Sequence, residues 1–253
     1  MKLMNFPAAV FVLSLVVLWL STKVGSWVRA RRKELDDKSR EDLQFILGST
    51  LTLLGLIIGF TFSMAISRYD QRKNYEEEEA NAIGTEYLRA ELLPPADASK
   101  VAPLLANYLD QRILFYKTRN SEELPQINMQ TAHLQNEMWS AVRLPASAQP
   151  TPVVALAVAG MNDVLNTQGY TQAAWWNRIP IEAWSLLVAI AICANILMGY
   201  NVRNPRSTIM LLVLPLIVSI SFFLIADIDS PRGGIIRVKP NNLMSLAESF
   251  QAH

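Results

Sequence analysis

Four stretches of this chain contain no charged residue for 20 positions or more: Leu3–Thr22, Leu43–Ser67, Ala183–Val202 and Ser207–Ala226. No other feature limits the fold as severely. About 20 apolar residues, at 1.5 Å rise each, make a helix that crosses a hydrocarbon layer of about 30 Å. Core helices of soluble proteins carry charges every turn or two on their outer face, and these runs carry none. The fold class expected is therefore all-α: an integral membrane protein with four transmembrane helices and an extramembrane helical domain inserted between the second and third.

The boundaries follow from punctuation. Residues 1–67 form a first transmembrane hairpin, 68–179 the extramembrane helical domain, 180–226 a second hairpin and 227–253 a C-terminal tail. The first run could pass for a signal peptide, with Lys2 before an apolar segment. No small-residue cleavage site follows Leu20, however, and Arg29, Arg31, Arg32 and Lys33 come next, as in an uncleaved anchor. The second helix is expected to leave the membrane and run on to Pro94-Pro95, because Arg68–Leu93 is rich in Glu, Ala, Arg and Leu and has no proline. Pro145–Pro152 reads as a linker, with Thr151-Pro152 as cap and first position of the next helix. Trp175, Trp176 and Trp184 read as an interfacial aromatic belt before the third span.

Most chemistries are disfavoured. A net charge of +1 offers no nucleic-acid footprint, and the single cysteine, Cys193, lies in the third run. With His133 and His253 as the only histidines, no metal site is expected. Phosphate-binding loops, nucleophile elbows and dinucleotide fingerprints are absent from the sequence, so neither catalytic residues nor a cofactor are expected. Glu76–Glu79 reads as a solvated helix face, or as a cation-attracting patch at a pore mouth.

The second span is the informative helix. Gly48, Thr52, Gly55, Gly59 and Ser63 fall on one narrow stripe, and small residues four apart let helix backbones approach closely. Beside it Leu54, Ile58, Phe62 and Ile66 follow strict i, i+4 spacing. In an oligomer such a stripe makes a hydrophobic constriction; otherwise it faces lipid or another helix. No span holds an internal charge, which disfavours proton-coupled transport and leaves a passive channel open. Asn195 reads as interhelical glue. At one boundary Arg68, Asp70, Arg72, Asp227, Asp229 and Arg232 gather, either as structural ion pairs or as a charged vestibule.

The basic cluster after the first span, against one lysine before it, places the short loops in the cytoplasm and the central domain and both termini in the periplasm. Gly59–Pro94 (GFTFSMAISRYDQRKNYEEEEANAIGTEYLRAELLP) resembles a bacterial membrane-protein family with a bestrophin-like domain of unknown function. Met161-Asn162-Asp163 leading to Arg178-Ile179-Pro180, and Asp227–Val238, resemble further segments of that family. The resemblance implies a four-span subunit in a bacterial inner membrane and, more remotely, the oligomeric ion channels called bestrophins. It also implies a constriction of three bulky apolar residues, which Leu54, Ile58 and Phe62 could match. Bestrophins keep their helical domain and termini in the cytosol, which opposes the sidedness read from charge. The functional expectation is a homo-oligomeric pore in the lipid bilayer passing inorganic ions. The alternative is a non-conducting scaffold or sensor whose helical domain binds a partner.

Overall fold

The computed structural model of the chain describes residues 2–32, 36–202 and 208–251. Among these, regular structure is entirely helical: α1 (Pro7–Ala30), α2 (Asp37–Arg89), α3 (Pro95–Lys117), α4 (Leu124–Ala148), α5 (Pro152–Trp176), α6 (Ile181–Asn201), α7 (Thr208–Asp229) and α8 (Asn241–Gln251), with short 3-10 turns before α1 and after α2. Four helical stretches are long and apolar enough to cross a membrane. The chain divides into two compact units, Met1–Arg68 with Arg178–Arg237 and Tyr69–Asn177 with Val238–His253. The basic residues Lys33, Arg203 and Arg206, the turn between the third and fourth spans, and His253 lie outside the described residues.

In the first unit α1 packs on both α6 and α7. Pro7 sits in the first turn of α1, where its missing N–H costs nothing. The direction of packing can be read from single contacts. Thr22 meets Asn195, and four residues on Ser26 meets Gly199, so α1 and α6 run parallel. Phe11, near the start of α1, meets Phe223, near the end of α7, so those two run antiparallel. First and third spans that cross a membrane in the same sense, and a fourth that returns, require this arrangement. Hydroxyls within the spans bond back to their own helices, as Ser21 does to Val17 O (2.8 Å) and Thr61 to Ile57 O (2.7 Å). No water is available there to satisfy them otherwise.

In the second unit α3, α4 and α5 pack in sequence around a core that includes Val101, Leu105, Leu109, Met138, Val142 and Met161. The Thr151 side chain caps α5, accepting from Val154 N at 3.2 Å. The expected linker is shorter than the prolines suggested. α4 continues through Pro145 to Ala148, because Pro145 fills a buried position on the apolar face of that helix. α8 lays Leu246, Ala247 and Phe250 on this core, with Phe250 stacked on Tyr87 at 3.9 Å. The segment expected as one tail is divided, to Arg237 with the first unit and from Val238 with the second. Trp175 is not part of an interfacial belt either. It is 6% exposed in the core, 4.9 Å from Phe115 and 5.4 Å from Tyr116, whereas Trp176 is exposed.

Candidate functional site

α2 has no internal charge from Leu43 to Ser67, so the site is defined by which of its sides the chain covers. Leu47, Leu54, Thr61 and Ala65 are buried. Their spacing of seven, seven and four residues is a narrow seam of the kind that packs one helix along another. Leu54, expected at a constriction, belongs to this seam at 2% exposure, and Ile58 and Phe62 are half-buried. The stripe of Gly48, Thr52, Gly55, Gly59 and Ser63 is exposed. Among the described residues, nothing beyond the adjoining backbone of α2 itself comes within 4 Å of a Cβ built on Gly48, Gly55 or Gly59. Next to that stripe stand the exposed side chains of Leu56 and Phe60. The Thr52 hydroxyl is tied back to Gly48 O at 3.0 Å, leaving the face apolar.

Close backbone contact does occur in the first unit, at a place sequence reasoning missed. A Cβ on Gly25 would lie 2.0 Å from Ile196 O, and one on Gly199 would lie 2.0 Å from Thr22 O. α1 and α6 therefore touch backbone to backbone. Around this crossing Thr22 Oγ1 donates to Asn195 Oδ1 (3.2 Å), Asn195 Nδ2 to Ala191 O (2.7 Å) and Ser26 Oγ to Gly199 O (3.2 Å). Asn195 is thus the polar link between two spans.

The boundary charges are held by specific partners. Arg178 Nε donates to Asp229 Oδ2 at 2.9 Å, Ile179 N to Asp229 Oδ1 at 3.2 Å, and Arg178 Nη1 to Asn5 Oδ1 at 2.9 Å. Arg68 joins Asp229 more loosely, at 4.0 Å. Asp227 accepts from Ile235 N and Ile236 N, both at 2.8 Å, and so folds the Ser230–Gly234 turn back on the end of α7. Gly233 and Gly234 allow this turn: a Cβ would come within 1.9 Å of Asn5 O at the first and 2.2 Å of Asp227 O at the second. Arg232 is half-buried on this turn. Asp70 is exposed and Arg72 is 1% exposed, both on the part of α2 belonging to the second unit.

That part of α2 corrects the reading of Glu76–Glu79 as a solvated face. Glu77 and Glu78 are exposed, but Glu76 and Glu79 are 1% and 0% exposed. Arg72, Glu76, Glu79, Ile83 and Glu86 follow helical spacing and all point inward. Glu79 receives Arg112 Nε, Tyr116 OH (3.2 Å) and Thr171 Oγ1 (3.2 Å). Burial disfavours the Arg112 charge, but the facing Glu79 carboxylate more than restores it, so its pKa is raised. Burial also pushes the Tyr108 and Tyr116 phenols well above their usual range, so both act as neutral hydrogen-bonding groups. Glu76 caps α8, accepting from Asn242 N (2.9 Å), Leu243 N (3.0 Å) and Asn242 Nδ2 (2.6 Å), the place where a helix favours an anion. Glu86 is 0% exposed and neither carboxylate oxygen has a hydrogen-bond partner among the described residues. Among the described residues no cluster of three or more metal-ligating side chains exists.

These features define an all-helical membrane protein whose uncharged second span presents an open, small-residue face. A family model described as the Bestrophin-like domain matches residues 8–243, and the chain belongs to the Bestrophin-like family. Solved structures of two point variants of a bacterial bestrophin homologue from Klebsiella pneumoniae are similar to it. One has 13% identity and a TM-score of 0.64, covering 96% of this chain and 98% of that one. The other has 13% identity and a TM-score of 0.65, covering 96% and 97%. A structure described only as a membrane protein variant matches at 12% identity and a TM-score of 0.65, covering 95% and 97%. At these identities the likeness is one of fold. No match was found among curated proteins.

Proposed function

We propose that this chain is the subunit of a homo-oligomeric ion channel in a bacterial inner membrane, with α2 nearest the axis and the unit containing α3, α4 and α5 outside the bilayer. The open face of α2 carries this reading: glycines with nothing against them, flanked by exposed Leu56 and Phe60, on a span without charge. A helix in lipid gains from close backbone packing at small residues, and a second copy supplies the partner that one chain does not. Membership of the Bestrophin-like family agrees with this.

On this reading the constriction is formed by Leu56 and Phe60 rather than by Leu54, Ile58 and Phe62. Two residues along a helix is about 200° around it, so the two stripes lie on nearly opposite sides, and Leu54 is enclosed by its own subunit. A dry apolar ring blocks ions because nothing replaces their hydration shell. Ion flux from proteoliposomes tests it. Phe60→Ala should raise flux above wild type with oligomer size unchanged. Leu54→Ala should instead cost about 2–5 kcal/mol of stability, as buried Leu truncations do, without opening a path. If assembled Phe60→Ala vesicles stay as tight as empty ones, the constriction is not there and the scaffold reading takes over.

A further inference from the structure

The last turns of α1 carry a ladder of alternating rings and cations. Trp19, Lys23, Trp27 and Arg31 stand four residues apart, so they follow one another up one side of the helix. Each cation lies over the ring one turn before it: Lys23 Nζ is 5.4 Å from the centre of the Trp19 ring, and the Arg31 guanidinium 3.6 Å from that of Trp27. α1 buries Leu18, Ser21, Thr22 and Gly25 on its inner side. A turn of about 100° per residue puts Trp27 opposite that seam, where it is 54% exposed beside outward Val16, Leu20 and Val24. Lys23 is the first charge after the run Leu3–Thr22 and so marks the edge of the hydrocarbon layer. Arg31 lies about 12 Å further along the helix, and the headgroup layer on each side is about 5–8 Å deep. The ladder therefore crosses that layer.

Charge narrows the occupant of this surface. Lys23, Arg31 and Arg32 form no ion pair among the described residues. Asp36, the nearest described carboxylate in sequence, is engaged with Ser39 N at 3.3 Å. A guanidinium stacked by its face keeps its in-plane N–H donors free, in a fork that matches two phosphate oxygens. We propose that this side of α1 binds the headgroup phosphate of an anionic phospholipid. Arg31 and the Trp27 indole N–H are its donors, and the long Lys23 side chain extends outward to the same level. The acyl chains then lie along Val16, Leu20 and Val24. A zwitterionic lipid brings an ammonium that these unpaired cations repel, so a lipid of net negative charge is favoured. Such binding needs no pore, and a non-conducting scaffold would show it equally.

Native mass spectrometry of the full chain, titrated in detergent with dioleoyl phosphatidylglycerol or dioleoyl phosphatidylcholine, tests this. Wild type should retain the phosphatidylglycerol preferentially. Each cation near an anionic headgroup is worth about fivefold in affinity, so Lys23→Gln with Arg31→Gln should weaken phosphatidylglycerol binding about thirtyfold and erase the preference. Lys117→Gln with Arg119→Gln removes the same charge from exposed positions of the second unit and should change nothing. Lys23→Arg with Arg31→Lys keeps the charge and should bind as wild type does, with oligomer mass and thermal stability as controls on folding. Soluble glycerol phosphate at millimolar concentration should leave the lipid in place. Equal retention of the two lipids by wild type, equal losses in the two glutamine pairs, lost binding in the charge-retaining pair, or displacement by glycerol phosphate each overturn the proposal. So does bifunctional crosslinking of Val24→Cys to a neighbouring copy in a Cys193→Ser background, which would put a second subunit where the lipid belongs.

Discussion

Glu86 should make this protein less stable as pH rises toward 8, the reverse of what most carboxylates do. Burial pushes its carboxyl from 4.5 up to about 8, with Arg89 drawing it down and Asp163 on α5 adding to the rise. Space is tight as well: a Cβ on Gly160 of α5 would lie 2.1 Å from Glu86 Oε2. Between pH 4.5 and about 8 the folded chain therefore holds a proton that the unfolded chain has released. Stability must fall with rising pH across that window, since the folded state binds more protons. Below 4.5 both states are protonated and the stability is fully present. The full shift corresponds to about 5 kcal/mol. Arg89 can swing closer and water can enter as the site ionises, so about 2–3 kcal/mol should be observable. Glu86→Gln keeps the shape and removes the titration. Denaturant unfolding in detergent, followed by tryptophan fluorescence from about pH 4 to 9, should show the variant matching wild type at the acid end and exceeding it near pH 8. Parallel pH profiles for the two proteins, or a variant less stable at the alkaline end, would refute the argument by showing an ionised, well-partnered Glu86.

Three further outcomes are expected. Glu79→Gln leaves Arg112 charged and buried and should cost about 3–5 kcal/mol, whereas Glu79→Gln with Arg112→Met should recover much of it, as chemical denaturation can measure. Gly199→Val should force α1 and α6 apart, so that the pair Thr22→Cys and Asn195→Cys, expected to crosslink while Gly199 is intact, no longer does so. Alkaline phosphatase fused after Asn120 should be active and after Arg32 inactive, as the basic cluster behind α1 demands; the reverse pattern would favour the cytosolic domain that the bestrophin resemblance implies.

The four spans were legible because a charge-free helix of about 20 residues suits a hydrocarbon layer and little else. The long exit of α2 was legible from its run of helix formers. Which side of α2 faces inward was not legible. Its two stripes are similarly apolar, and only burial of Leu54 beside open Gly55 and Gly59 separates them. The inward Glu76 and Glu79 were hidden by Glu77 and Glu78 beside them, which made a periodic pattern look like a solvated run. Its period emerges only when Arg72, Ile83 and Glu86 are counted with them. The sequence points to backbone contact at Gly55 and Gly59 because their spacing repeats within one helix. At Gly25 and Gly199 the small residues are shared between two helices 174 positions apart, and no local pattern in a single sequence joins them.

Recording from the purified protein in a planar bilayer asks directly whether the chain conducts ions. A channel should give discrete currents that depend on added protein, a reversal potential that moves under asymmetric salt, and larger currents for Phe60→Ala. A preparation that is monomeric or dimeric, and electrically silent for both wild type and Phe60→Ala, would contradict it.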